Sequence, residues 1–134
     1  MLKNYKVEKV AEIISEYYSQ KICNLLVVGC GNGIEAAILV IKLKANVIGI
    51  DIENRFDSIA SNYASLKIGD AKSLKFEDNF FDFVYSNHVL EHIDDPVKAL
   101  LEMRRVLKKG GGYWIGTPNK NRLIGYIGSK TTIK

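Results

Sequence analysis

With only two cysteines, Cys23 and Cys30, and no CxxC spacing between them, the chain has no disulfide framework and no thiol-pair motif. No apolar run approaches the roughly 20 residues that a membrane-spanning helix needs. The opening stretch, residues 1–10, lacks the apolar core of a signal peptide, so a cytoplasmic location is the expectation. Repeats and low-complexity tracts are also missing, which excludes solenoid architectures. The charge excess is small: 19 Lys and Arg against 15 Asp and Glu give +4 at pH 7. That balance is too mild to argue nucleic-acid binding, and a lysine-rich solvated surface accounts for it. What is left is an ordinary globular composition, 47% hydrophobic and 25% charged over 134 residues, long enough for one domain with its own core.

Strand and helix patterns alternate along the chain, the mark of an α/β domain with a parallel sheet. Residues 5–20 place Val7, Val10, Ala11, Ile14 and Tyr18 at helical spacing. The short apolar runs 25–28, 46–50, 66–68, 81–85 and 113–116 read as five strands. Residues 34–43 read as a helix, and 55–63 as another. A further helix is expected over 95–108, with Asp94 or Asp95 as cap, Pro96 in the first turn, Leu100 and Leu101 in the core and residues 110–112 as the stop. The whole chain is expected to be one domain, with a core over about 22–118 and a basic tail, 119–134, of little pattern.

Three places carry candidate chemistry. The first is Val27-Val28-Gly29-Cys30-Gly31-Asn32-Gly33, between an expected strand and an expected helix. Glycines there permit a tight turn and a close approach of ligand to backbone, and the helix N-terminus faces the same place. A dinucleotide fingerprint requires a third glycine at position 34, which is Ile34, and no GK[ST] follows as a phosphate-binding loop would require. The loop therefore suits a nucleoside-like ligand rather than a pyrophosphate. The second place is Asp51, at the end of the second strand, where a carboxylate can accept hydrogen bonds from two ribose hydroxyls; Glu53 is a rival. The third is Gly69-Asp70-Ala71, where an acid can meet the exocyclic amine of adenine.

These segments, with Phe81-Asp82-Phe83-Val84, His88-Val89-Leu90-Glu91-His92 and Arg105-Val106-Leu107-Lys108-Lys109-Gly110-Gly111, resemble in order and spacing the class I S-adenosylmethionine-dependent methyltransferases, particularly the small-molecule group that includes quinone-biosynthesis enzymes. The resemblance covers about residues 25–118. It implies a mainly parallel five-stranded Rossmann-like sheet in the order 3-2-1-4-5, with helices on both faces and S-adenosylmethionine as cofactor. Gly29, Gly31 and Gly33, with Cys30 between them, would approach its methionine part and ribose. Asp51 would hold the ribose hydroxyls, Ile52 would lie on the adenine face, Asp70 would meet its amino group and the Ala71 amide a ring nitrogen. Asn87 and His88 would flank the sulfonium, with His88 the candidate base wherever the acceptor must lose a proton. The cluster His88, Glu91 and His92 is read as ordering a turn, so no metal is expected.

Two departures from the family pattern stand out. Val27 occupies the position of an acid that the family places near the methionine ammonium. The segment after Pro118 is too short for the usual sixth and seventh strands with a helix, so both are expected to be missing. An exposed strand 113–116 would then attract a second copy or another partner, or be covered by the tail. The implied function is methyl transfer to a small-molecule acceptor; the alternative is a non-catalytic methyltransferase-like binding or scaffold subunit, or an incomplete domain.

Overall fold

The computed structural model describes residues 2–117 and 124–129. Asn4 opens the first helix, α1 (Tyr5–Tyr17): its side chain accepts from the amides of Lys6 and Val7 at 3.1 and 3.3 Å. Strand β1 (Asn24–Val28) follows, then α2 (Ile34–Leu43) and β2 (Asn46–Asp51). Next come β3 (Ser65–Ile68) and β4 (Phe81–Asn87). Helix α3 (Pro96–Val106), capped by Asp95 through the Lys98 amide at 3.1 Å, leads into β5 (Leu107–Thr117) and β6 (Ile124–Ser129).

The sheet order is β3-β2-β1-β4-β5-β6. The first five strands are parallel and take the expected order 3-2-1-4-5. Alternate residues of β1 divide between two cores, as a strand period of two requires. Leu25 and Val27 pack with α1 and α2 on one face of the sheet. Leu26 and Val28 pack with Met103 and Val106 of α3 on the other. The sheet order reverses between β1 and β4, and the carboxyl ends of β1, β2 and β4 open toward the crevice that such a reversal creates.

Four expectations need correction. Residues 119–134 do not lack structure throughout: β6 pairs antiparallel with β5, Trp114 opposite Ile127 and Gly116 opposite Gly125. The edge at 113–116 is thus covered by the chain itself, and the expected absence of a sixth strand is overturned. Residues 55–63 form only a short 3-10 turn, Ala60–Asn62, opened by Asp57, whose side chain accepts from the amides of Ile59 and Ala60, and cut short by β3, which already begins at Ser65. Helix α3 ends at Val106, before the glycines. The glycines lie inside β5, where the register jumps from Leu107 opposite Phe81 to Gly112 opposite Phe83. A Cβ on Gly112 would stand 2.7 Å from the Tyr18 ring and 2.8 Å from that of Phe83, so close packing rather than a helix stop demands glycine here. Leu100 and Leu101 are not core either: they lie on the outer face of α3, 37% and 61% exposed.

Asp82 ties three elements together. Its carboxylate accepts from the amides of Cys23 and Asn24 at 2.9 and 2.8 Å and from Lys108 Nζ at 3.2 Å. Burial pushes this carboxyl up, but the Asn24 amide, Lys108 and the Cys23 amide outweigh it and hold it below the usual carboxylate range. A carboxyl depressed by folding stabilises fully above its unfolded value, about 3.9, and loses that contribution as pH falls through the folded one. Asp82→Ala is expected to cost about 2 kcal/mol at neutral pH. Urea denaturation at neutral pH and near pH 3 checks this: the gap from wild type should narrow in acid, and an unchanged gap would refute the pairing.

Candidate functional site

The loop between β1 and α2 is tied down by its own amides. Gly29 and Cys30 both donate to the carbonyl of Ile50, at 2.9 and 2.8 Å, and Gly33 donates to Cys30 O at 2.9 Å. Gly31 donates to Asp51 Oδ2 at 2.8 Å, and Ile34 to the Asn32 side chain at 3.0 Å. A phosphate-cradling loop keeps such amides for its anion; here five of them are spent within the protein. The loop's conformation is therefore set by the protein's own acceptors.

Above this loop, at the carboxyl ends of the strands, lies a cavity of about 600 Å³, within the range usual for small-molecule and cofactor sites. Gly29, Gly31, Asp51, Ile52, Asp70, Ala71 and His88 all line it, so seven of the ten sequence-selected residues come together. Asp51 stands at the end of β2 with each oxygen accepting one backbone amide, Gly31 at 2.8 Å and Glu53 at 3.0 Å. A carboxylate has about four acceptor positions, so both oxygens keep capacity for further donors such as a pair of vicinal hydroxyls. Asp70 is fixed by the Lys72 amide on Oδ1, at 2.9 Å. Ile50, Ile52, Val89 and Ile93 supply apolar wall, which suits a flat heteroaromatic ring.

The other three selected residues do not line the cavity. Cys30 is buried beneath the loop, facing Gly49, and burial first, then the charges of Asp51 and Glu35, push its thiol up to about 12. It is a neutral packing group. Gly33 caps α2 at φ +92°, against Leu66. The Asn87 side chain sits against Gly116 in the sheet, its Oδ1 buried without a partner. His88 takes a left-handed backbone, φ +58°, pinned by its amide on Gly116 O at 2.9 Å.

Several lining residues escaped the sequence reading. Lys72 and Asp94, 22 residues apart, form an ion pair of 2.6 Å across the cavity's loops, and no local spacing announces such a pair. Arg55 also lines the wall, paired with Glu53 at 3.3 Å. Val27 is buried opposite Tyr85. The Tyr85 hydroxyl donates to Glu35 at 2.9 Å, so a carboxylate does stand on this face, supplied by α2 rather than by β1. Burial first, then Glu35, raises the Tyr85 phenol, which stays protonated. No group of three potential metal ligands is present among the described residues, nor is any helix there long and apolar enough to cross a membrane.

Residues 26–115 match the profile of a methyltransferase domain. The chain belongs to that family, the class I S-adenosylmethionine-dependent methyltransferases. A ubiquinone biosynthesis O-methyltransferase of Thiobacillus denitrificans is 31% identical over 121 residues, 82% of this chain and 52% of that protein. Among solved structures, a Methanococcus maripaludis protein assigned to the S-adenosyl-L-methionine-dependent methyltransferases superposes with a TM-score of 0.78 at 22% identity. The match takes in 87% of this chain and 57% of that one. The [4+2]-cyclase SpnF superposes with a TM-score of 0.72 at 27% identity, covering 82% and 44%. The methyltransferase domain spans about half or less of the curated relatives it matches.

Proposed function

We propose that the cavity of this methyltransferase domain binds S-adenosylmethionine and that the domain transfers a methyl group to a small-molecule acceptor. The observation that carries the reading is Asp51, whose carboxylate braces the glycine loop through Gly31 while facing the cavity. Asp51 holds the ribose hydroxyls, Ile52 lies on the adenine face, and Asp70 with the Ala71 amide addresses the adenine edge. Gly29 and Gly31 allow the backbone to come close. When bound, the cofactor supplies an electrophilic methyl group on a sulfonium sulfur. The protein's part is mainly to hold the acceptor in line and keep water out. Where the acceptor is a hydroxyl, His88, on the cavity wall, takes its proton.

A second reading has specific support. SpnF has the same fold and carries a cyclase name, so the fold by itself does not settle the chemistry. Val27, packed in the core, contributes no charge to the loop. On this reading the domain binds an adenosyl ligand without transferring a methyl group. Calorimetric titration with S-adenosylmethionine and S-adenosylhomocysteine, followed by assay of methyl transfer to a phenolic panel, separates the two. Micromolar binding with turnover supports methyl transfer. Binding without turnover favours the second reading, and no binding by folded protein overturns both.

A further inference from the structure

We infer that Lys72 and Asp94 form a strap holding the wall that carries Ile93 against the nucleoside end of the cavity, so that they act as positioning residues for ligand retention. The inference rests on the adenosyl-binding reading above. Lys72 directly follows Asp70-Ala71 and Asp94 directly follows Ile93, and all five line the cavity. The two charged ends meet at 2.6 Å.

Both anchors of the strap are fixed. On one side Asp70 holds the Lys72 amide at 2.9 Å, and Glu102 of α3 holds the Leu74 amide at 2.8 Å. On the other, Asp95 caps α3 immediately after Asp94. The loop at 92–94 is thus tied to α3 behind it and to Lys72 across the cavity. Ile93 and Ala71 also pack against the core beneath α3, so the ion pair adds a polar tie across the cavity to an apolar seat. Asp94 is 81% exposed and Lys72 29%, so the pair contributes little to global stability. Its effect falls on how long a bound nucleoside stays.

The test is the dissociation rate of S-adenosylhomocysteine from the full chain, by stopped flow, at low and high salt. Lys72→Met and Asp94→Asn are each expected to speed release about three-fold at low ionic strength, with the gap from wild type narrowing at about 1 M salt, where the Debye length falls to about 3 Å. Exchanging the charges, Lys72→Asp together with Asp94→Lys, should restore slow release. Equal rates at low salt, or no restoration by the exchange, would overturn the strap. Should wild type bind no ligand, the adenosyl-binding reading falls, and amide hydrogen exchange at 92–95 in the free protein decides the strap instead. Faster exchange in Lys72→Met supports it; unchanged exchange refutes it.

Discussion

Asp51→Ala is expected to weaken S-adenosylhomocysteine binding by about 100-fold or more, with the fold retained. The carboxylate has two duties, and the substitution removes both. It accepts from the Gly31 amide at 2.8 Å and the Glu53 amide at 3.0 Å, which sets the shape of the loop, and its remaining lone pairs face the cavity. Hydrogen bonds to a charged acceptor contribute about 1.5–3 kcal/mol each. Two lost to the ligand therefore amount to at least about 3 kcal/mol, or roughly 100-fold. Asp51→Asn keeps the size and one acceptor oxygen but can accept from only one of the two backbone amides, so it should fall between alanine and wild type. Isothermal titration of the three proteins, with circular dichroism to confirm folding, measures this. An alanine variant that binds within three-fold of wild type would show that Asp51 only braces the loop.

Much of this site was legible because its chemistry is local in sequence. Gly29, Gly31, Asp51, Asp70 and His88 stand at the ends of strands whose apolar runs are plain to read, and a parallel sheet brings such ends to one side. The order of the five parallel strands was instead implied by the resemblance to the methyltransferase family, and the sheet takes that order. Residues whose roles depend on distant partners were not legible. Lys72 and Asp94 meet only after β3 and the approach to α3 are placed. Glu35 reaches Tyr85 only when α2 packs beside β4. Turn glycines and packing glycines look alike in a sequence, which is why 110–112 reads as a helix stop while the structure puts it within β5. Asn87 and Cys30 fell beside the right motifs, but the strand's alternation and the fold of the loop aim them into the protein rather than the cavity.

The two cavity glycines offer a comparison that separates backbone strain from crowding. Gly29 and Gly31 both have left-handed backbones, φ +74° and +58°, where an alanine costs roughly 1–2 kcal/mol. Their surroundings differ. A Cβ on Gly31 would meet nothing within 4 Å, whereas one on Gly29 would overlap both methyls of Val89, itself a wall of the cavity. Gly31→Ala should therefore lose only the backbone share, about 1–2 kcal/mol. Gly29→Ala should lose about 3 kcal/mol or more, adding the strain of displacing Val89. For a domain of this size the latter corresponds to a melting temperature lower by about 10 °C. Ligand affinity should also fall by about tenfold, because Val89 is pushed into the space the ligand needs. Adding Val89→Ala to Gly29→Ala removes the obstruction and should return affinity, yet recover only the crowding share of stability. Thermal melts and titrations of the four proteins complete a double-mutant cycle. If Val89→Ala brings no recovery, the loop bends away from the overlap and Gly29 is required by its backbone angle alone.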